Sequence, residues 1–232
     1  MVNPSLDSPS KRPLVILSTN IEGLCPSRGK PKVSFLREKA HEENISILAL
    51  TESHLHKDYH EGELEIKDFT LFRSDRTAGI RKGGVVIYLR NHLSTGASIC
   101  SLGSIGNIEF LAVNIRSLEI IFVCVYRPPV AETANFIHVL NLLKHDIESC
   151  VGTVTLPNIV FTGDLNLPNV SWGDRTISSG TSQSRTQATA LFEFFDRFFI
   201  EQYVTKPTRN ESVLDLFATN DSDLVSHLWR EN

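Results

Sequence analysis

An acidic and an amide side chain follow a short apolar run at residues 157–168, PNIVFTGDLNLP. The run from Asn158 to Phe161 is short and rich in β-branched residues, which predicts a buried strand covered on both faces. Ligands gather at the ends of such strands, so Asp164 and Asn166 are candidates for chemistry. Asp164 can accept a proton or a metal ion, and Asn166 is a neutral donor and acceptor. In an extended chain the two side chains would face one pocket, about 7 Å apart along the backbone. The alternative is a Gly-Asp turn followed by a loop asparagine.

Polar residues close two earlier apolar runs of the chain in the same way. Residues 14–18 form a strand-like run that leads to Asn20, and residues 45–50 form another that leads to Glu52. Glutamate is mostly an exposed residue, so Glu52 has an alternative interpretation as a solvent-facing side chain that opens a loop. If both runs belong to one sheet, Asn20 and Glu52 join Asp164 at its edge.

Two further polar residues belong to apolar runs nearer the middle and the end of the chain. Tyr126 ends a strand predicted over 119–126, where its phenol could reach a phosphate or could simply cap the core. Asp215 lies in the middle of a strand predicted over 213–218. A carboxylate buried in an apolar strand is costly unless it has a partner such as a histidine or an asparagine.

A basic segment covers residues 73–90, where five cationic side chains stand against Asp75 alone and leave a local charge of +4. The cations are Arg73, Arg76, Arg81, Lys82 and Arg90. Gly83 and Gly84 would let the backbone approach a phosphate closely. A solvated hairpin is the alternative interpretation, because charge clusters are often only surface.

Strands alternate with amphipathic helices along the chain, which indicates an α/β fold. Helices are predicted over 31–43, 131–149 and 185–201, and further strands over 69–72, 84–89, 108–115 and 203–204. The spacing of apolar positions within the helices predicts one face packed on the sheets.

Length and composition favour one globular domain over residues 13–232, preceded by a loose tail at 1–12 that is rich in Pro and Ser. The tail has no apolar signal-peptide core, so secretion is not expected. The apolar runs are too short to cross a membrane. A net charge of −4 argues against non-specific coating of nucleic acid, although it allows a locally basic groove.

The four cysteines, Cys25, Cys100, Cys124 and Cys150, form no CxxC pair. Most of them lie in or beside apolar segments, where free cysteines behave as small core residues. We therefore expect four reduced thiols in a reducing compartment.

Taken in order, Asn20, Glu52, Tyr126, the GDLN motif at 163–166, and Ser212 with Asp215 resemble the endonuclease/exonuclease/phosphatase superfamily. The phrases STNIEGL, LALTESHL, RKGGVVIYLR, VYRPP, GDLNLP, KPTR and LDLFATND are similar to the endonuclease domain of non-long-terminal-repeat retrotransposons, near the Jockey-type branch. The resemblance implies a four-layer, two-sheet α/β sandwich with helices on the outer faces and the site at one sheet edge. It also implies a nuclear, monomeric domain that nicks DNA and leaves a 3′ hydroxyl for a reverse transcriptase in cis.

The resemblance implies a role for each matching residue. Glu52, helped by Asn20, would hold a divalent metal, Mg²⁺ or alternatively Mn²⁺. Asp164 would orient or deprotonate the attacking water, and Asn166 would fix the scissile phosphate. The supporting residues of the site would be Tyr126, Thr205, Ser212 and Asp215. The residues expected to contact nucleic acid are Arg73, Arg76, Arg81, Lys82 and Arg127.

The sequence departs from the family pattern at its end, because no Ser-Asp-His triplet follows Asp215 and the only later histidine is His227. We therefore expect a domain that is C-terminally truncated or changed in frame at about Leu228, that lacks its last strand, and that is a weakened or inactive nuclease. Two alternatives stay open. One is a phosphatase or phosphodiesterase of the same fold acting on lipid or sugar phosphates, and the other is a non-catalytic nucleic-acid-binding remnant.

Overall fold

The computed structural model of the protein describes residues 13–25, 31–77, 82–151, 156–178 and 180–228, so the predicted tail at 1–12 lies outside the described residues. The strands are β1 (Ile16–Asn20), β2 (Ile47–Thr51), β3 (Phe69–Ser74), β4 (Val85–Arg90), β5 (Ser98–Ile105), β6 (Ile108–Ile115), β7 (Ile120–Tyr126), β8 (Asn158–Asp164), β9 (Val170–Ser171), β10 (Thr176–Ile177), β11 (Glu201–Gln202) and β12 (Asp215–Thr219). The helices are α1 (Lys32–Glu42), α2 (Glu61–Leu64), α3 (Asn91–Ser94), α4 (Thr133–Val151) and α5 (Ser182–Phe198), and a 3₁₀ turn covers Ser222–Leu224.

Two mixed sheets face each other in the described part of the chain. The smaller sheet has four strands in the order β1-β2-β4-β3, and the larger has six in the order β11-β12-β8-β7-β6-β5. Each sheet has one parallel pair, β1 with β2 at the edge of the smaller sheet and β7 with β8 inside the larger one, and the other pairs are antiparallel. The α/β sandwich expected from the resemblance is confirmed.

Three apolar layers explain why the central strands have almost continuous apolar sequences. Ile47 and Ala49 of β2 pack between the sheets against residues such as Phe122 of β7. Leu48 and Leu50, which point the other way, pack on α1. On the far side of the larger sheet, α4 and α5 cover β6, β7 and β8. Strands covered on both faces need apolar residues at every position rather than at alternate ones.

Helix α5 begins earlier and ends earlier than the spacing of apolar residues predicts. The Thr181 hydroxyl accepts a hydrogen bond from the Ser184 amide at 3.2 Å and caps the first turn, so the helix starts at Ser182. Phe199 adopts a left-handed conformation (φ 57°) and ends it. The polar first turn carries no apolar periodicity, which is why the pattern missed it.

Three predictions about the strands are wrong. Asp215 begins β12 rather than lying in its middle, and the short strand near the end of α5 is Glu201–Gln202 rather than 203–204. Strand β5, whose sequence SICSLGSI contains as many apolar residues as Ser and Gly residues, was not predicted at all. These strands are short or lie at the sheet edge, where propensity is weak and pairing with a distant strand decides the structure.

The cysteines differ from expectation, because Cys100 of β5 and Cys150 of α4 form a disulfide with Cα atoms 6.0 Å apart. Cys25 and Cys124 are free, and only Cys124 is fully buried. The disulfide links an edge strand to the helix that covers it. Sequence spacing could not reveal a pair separated by 50 residues. None of the described helices is long and apolar enough to cross a membrane.

Gly163 allows β8 to lie close to its parallel neighbour β7. It has φ 135°, a conformation that L side chains rarely adopt, and an added Cβ atom would overlap the carbonyl oxygen of Val125. The glycine of the GDLN motif is therefore required by packing, one residue before Asp164.

We predict that Gly163→Ala lowers the free energy of unfolding by about 3 kcal/mol or more, because backbone strain and overpacking add. Chemical denaturation measures this change. Gly173→Ala is the matched control, since a Cβ at Gly173 meets nothing within 4 Å. Equal stability of the two variants would contradict the packing argument.

Candidate active site

Polar side chains of the two sheets meet at one edge of the sandwich. Because β1 and β2 are parallel and β7 and β8 are parallel, each pair brings its carboxyl ends together. Asn20 ends β1, Glu52 follows β2, Tyr126 ends β7 and Asp164 ends β8. Asp215 begins the antiparallel strand β12 and is paired directly with Asp164. The structure therefore brings these five predicted residues together.

The Asn20 amide connects the two sheets. Its Nδ2 donates to Glu52 Oε1 at 2.8 Å and to Asp164 Oδ2 at 2.9 Å. Its Oδ1 accepts from the Glu22 backbone amide at 3.1 Å, which fixes the orientation of the group. Asn20 thus holds both carboxylates in place.

Glu52 has a left-handed backbone conformation (φ 52°) and a partly exposed carboxylate. Burial acts to raise its pKa, but hydrogen bonds with Asn20, Tyr126 and His54 outweigh burial, so the pKa lies below its ordinary value. The His54 Nε2 lies 3.3 Å from Glu52 Oε2. Glu52 therefore carries a negative charge at neutral pH in a position that a ligand can reach.

Asp164 is fully buried and lies next to a second acidic residue. Burial, and then the charge of Asp215, raise its pKa to about 6 in spite of the Asn20 hydrogen bond and the nearby Arg209. Arg209 Nη2 lies 3.5 Å from Asp164 Oδ2, and the backbone amide of Asn166 donates to Asp164 Oδ1 at 3.2 Å. Arg209 therefore forms an ion pair with Asp164, and the buried guanidinium of Arg127 also interacts electrostatically with this carboxylate.

The Tyr126 hydroxyl hydrogen-bonds to Glu52, and its ring lies under the guanidinium of Arg76, 5.8 Å from the ring centroid. Burial, and then the charge of Glu52, raise the pKa of Tyr126 far above its ordinary value. The phenol therefore stays protonated and remains a donor.

Asn166 lies at the site in a way that the extended-chain argument did not predict. Its φ of 47° turns the chain immediately after β8, so it does not share an extended face with Asp164. Its Nδ2 donates to the Arg127 carbonyl oxygen at 2.9 Å, and the residue is almost fully buried. Asn166 fixes the turn that follows Asp164.

Two of the predicted supporting residues lie apart from this cluster. Thr205 is exposed in the loop before β12, and the Ser212 hydroxyl donates to the Pro168 carbonyl oxygen at 3.2 Å. The hydroxyl that reaches the start of β12 belongs to Thr208, whose Oγ1 accepts from the Asp215 amide at 3.1 Å.

Sequence reasoning missed three residues of the site: His54, Thr208 and Arg209. His54 had a signal, because it follows Glu52 by two residues in TESHL. Thr208 and Arg209 belong to the KPTRN segment, which supported the family resemblance. No role was predicted for these two residues. Their proximity to the cluster depends on a loop whose path the sequence pattern does not fix.

Most of the predicted nucleic-acid contacts are already paired within the protein. Arg73 pairs with Asp75 and donates to the His56 carbonyl oxygen at 2.7 Å. Arg76 forms a bidentate pair with Glu109. These cations stabilise the protein's own loops instead of presenting free charge.

Arg127 does not fit the prediction of a nucleic-acid contact, because only 3% of it is exposed. Its guanidinium donates to the carbonyl oxygens of Leu165 and Asn166 at 3.0 and 3.1 Å, and also to Gln187. Burial lowers its pKa to about 10. Of the predicted contacts, Lys82 is exposed and Arg81 lies outside the described residues.

The donor set fits a hard divalent cation held by few protein ligands. Among the described residues there is no group of three or more His, Cys, Asp or Glu side chains arranged to hold a metal ion. The accessible carboxylate of Glu52, held by Asn20, nevertheless offers oxygen ligands of the kind that Mg²⁺ prefers, and Mg²⁺ usually retains several waters. Burial raises the pKa of Asp164, and the charge of Asp215 raises it further, so a bound cation would stabilise the ionised form of this carboxylate.

Residues 120–232 match the family model described as "Endonuclease-reverse transcriptase". No curated protein matches the sequence. The fold is similar to that of the endonuclease domain of TRAS1, a telomere-specific non-LTR retrotransposon. The TM-score is 0.54, and the sequences are 19% identical over 93% of this chain and 94% of that chain.

Other solved structures with the same fold have different activities in their names. The AP endonuclease LMAP from Leishmania major has a TM-score of 0.57 and 15% identity, over 88% of this chain and 78% of that chain. A mannosyl-6-phosphatase from Bacteroides thetaiotaomicron has a TM-score of 0.54 and 14% identity, over 89% and 85%. At these identities the likeness establishes the fold alone.

The fold is that of these endonuclease and phosphatase domains. The resemblance recognised from the sequence motifs is supported by the match of residues 120–232 to the endonuclease-reverse transcriptase family model and by the similarity of the fold to that of the TRAS1 endonuclease domain. The coarse activity that this supports is that of a nuclease or phosphodiesterase-like hydrolase.

We predict that Mg²⁺ stabilises the protein through Glu52. At 100 times the dissociation constant, a cation that binds only the folded state adds about 2.7 kcal/mol, and each kcal/mol raises Tm by about 2–4 °C for a chain of this size. Glu52→Gln should remove most of this increase in a thermal scan. Glu193→Gln, at an exposed position of α5, is the control. Equal Mg²⁺ stabilisation of both variants would exclude Glu52 as the ligand.

Proposed function

We propose that this chain is a divalent-metal-dependent DNA endonuclease domain that nicks one strand and leaves a 3′ hydroxyl, from which a reverse transcriptase in cis can prime. The observation that carries the proposal is the Asn20 amide, which holds Glu52 and Asp164 of two different sheets within one site. Two carboxylates at a shared edge suit the hydrolysis of a phosphodiester, because one can bind a cation while the other accepts a proton from the attacking water.

Glu52, oriented by Asn20, would hold Mg²⁺ or Mn²⁺ at this edge. The cation, when bound, supplies positive charge next to the phosphate oxygens. The remaining roles belong to side chains of the protein itself.

Asp164 is the candidate base for the attacking water. Its pKa of about 6 is closer to neutral pH than that of an ordinary aspartate, which makes it a stronger proton acceptor while it remains largely ionised. Asp215 helps to set this property through its charge. Tyr126 keeps its proton and can donate to a phosphate oxygen, and Asn166 fixes the turn that carries Asp164.

A phosphate in the site would lie close to Arg209, which is 44% exposed at its side chain and 3.5 Å from Asp164. Among the predicted contacts that the structure describes, exposed Lys82 remains available to a nucleic acid. The RKGGVVIYLR and KPTR phrases, which contain these residues, favour DNA over a small phosphate ester.

The second candidate is a sugar or lipid phosphatase, and it is favoured by one finding, the similarity to a mannosyl-6-phosphatase. A non-catalytic nucleic-acid-binding domain is the third. The sequence contains no Ser-Asp-His triplet. We therefore expect nicking to be slow, because the histidine of that triplet would be a positioned acid or electrostatic stabiliser. Such a group contributes about 10²-fold to 10⁴-fold to the reaction rate.

We predict that the chain nicks supercoiled plasmid in the presence of Mg²⁺ and that EDTA abolishes the reaction. Asp164→Asn should slow nicking by about 10²-fold to 10⁴-fold, because it removes the base. Asp174→Asn, at an exposed aspartate, is the matched control.

A parallel assay with mannose 6-phosphate distinguishes the second candidate. Hydrolysis of the sugar phosphate without nicking would replace the endonuclease proposal, and DNA binding without either reaction would favour the third.

We also predict that Arg81→Ala/Lys82→Ala flattens the salt dependence of DNA binding. Two lost phosphate contacts reduce the slope of log K against log salt by about 2 for duplex DNA. A Lys67→Ala/Arg116→Ala double variant removes the same charge at exposed positions elsewhere. An unchanged slope in the first variant would leave the basic segment as solvated surface.

A further inference from the structure

Glu109 is a fully buried carboxylate in β6 that no step of the proposed reaction uses. It accepts four hydrogen bonds: from Arg76 Nε at 2.8 Å, Arg76 Nη2 at 3.0 Å, the Gly84 amide at 3.0 Å and the Ser104 hydroxyl at 3.0 Å. Arg76 also donates to the Asn107 carbonyl oxygen at 2.8 Å. A buried charge of this kind is tolerated only where its hydrogen bonds are complete.

The network fixes the backbone of Gly83 and Gly84. Both residues have φ near +90°, and a Cβ on Gly83 would lie 2.5 Å from Glu109 Oε2. A Cβ on Gly84 would lie 2.5 Å from Ser53 Oγ. The glycine pair, expected from the sequence to approach a phosphate, instead approaches a buried carboxylate on one side and residue 53 on the other.

Gly83 and Gly84 in turn hold the segment that follows Glu52. The Ser53 amide donates to the Gly84 carbonyl oxygen at 3.2 Å, and the His54 amide donates to the Gly83 carbonyl oxygen at 2.8 Å. Glu52 itself has a left-handed conformation (φ 52°), which is costly without such external restraint. These two hydrogen bonds act with those from the Gly23 and Leu24 backbone amides to the carbonyl oxygens of Glu52 and Ser53, at 2.7 and 2.9 Å, to restrain the segment that carries the Glu52 carboxylate.

The same network reaches Tyr126. Glu109 is the direct partner of Tyr126 across the β6–β7 pair, and the guanidinium that Glu109 holds lies over the Tyr126 ring. One buried ion pair thus restrains two residues of the candidate site, on two different sheets, without touching either reacting group.

We propose that Glu109, with Arg76 and the Gly83–Gly84 pair, is a positioning device that sets the geometry of Glu52 and Tyr126 for the reaction. The proposal rests on the proposed endonuclease function only for its catalytic consequence. The restraint of residues 52–54 is a property of the folded chain and can be measured without substrate.

Glu109→Gln is an informative variant because it keeps the volume of the side chain. Glu109 accepts all four of its hydrogen bonds, whereas an amide offers a single accepting oxygen together with two donors of its own. Arg76→Lys tests the same network from the other side, since an ammonium cannot reproduce the bidentate fork. Glu119→Gln, at an exposed turn of the same β6–β7 hairpin, is the matched control.

Hydrogen exchange of the intact protein is the first measurement. In Glu109→Gln and Arg76→Lys, the amides of Ser53 and His54 should exchange faster, while those of β8 and α5 keep the protection of the parent protein. The second measurement is kinetic. Loss of supporting interactions around a metal ligand commonly lowers metal affinity or activity by about 10-fold to 100-fold. We expect a loss of this size in the rate of nicking and in the Mg²⁺ affinity that the thermal scans report.

A purely structural role would give a different result. If Ser53 and His54 keep their protection in Glu109→Gln, or if they lose it only together with β8 and α5, the positioning proposal is wrong. It is also wrong if these amides loosen while nicking and Mg²⁺ stabilisation stay at the level of Glu119→Gln. If the parent protein nicks no DNA under any condition, the endonuclease proposal fails, and hydrogen exchange with Mg²⁺ stabilisation still decides the role of Glu109.

Discussion

The candidate site depends on one amide group that bridges two sheets. The two Asn20 hydrogen bonds reach carboxylates that belong to different layers of the sandwich, so they form only if the sheets keep their spacing at this edge. Ser18 Oγ and Thr162 Oγ1, 2.5 Å apart, form a second polar link between the same two strands, two residues before Asn20 and Asp164. Buried carboxylates need such donors to remain charged. The chemistry of the edge is therefore coupled to the packing of the whole sandwich.

That spacing is set by the apolar layer between the sheets. Side chains such as Ile47 and Val85 from the smaller sheet interlock with Phe122 and Val160 from the larger one. Close packing leaves little freedom for one sheet to slide over the other. Because β1 and β2 are parallel and β7 and β8 are parallel, the polar residues at the carboxyl ends of each pair lie side by side. Rigid strands, rather than loops, carry most of the site.

The sequence was sufficient to predict the central elements and the strand ends at which Asn20, Glu52, Tyr126 and Asp164 lie, because both depend on local pattern. Asn20, Glu52, Tyr126 and Asp164 each follow an apolar run, and a strand end is visible in the sequence. The parts that failed depend on distant partners. Asp215 begins its strand because of its register with β8, and the disulfide joins residues 50 positions apart. No local periodicity contains that information.

Basic residues in the sequence were the least reliable indicators of a phosphate contact. Arg73, Arg76 and Arg127 look like a phosphate-binding set in the sequence, but Arg73 pairs with Asp75, Arg76 pairs with the buried Glu109, and Arg127 donates to backbone carbonyl oxygens. Among the described side chains of the candidate site, a phosphodiester would therefore meet the carboxylates of Glu52 and its neighbours, with Arg209 as the nearby cation. The negative charges of a phosphodiester and of these carboxylates would repel strongly in a partly buried site. This acidic edge is the main physical argument for the proposed cation, because an anionic substrate could approach the candidate base only after that charge is balanced.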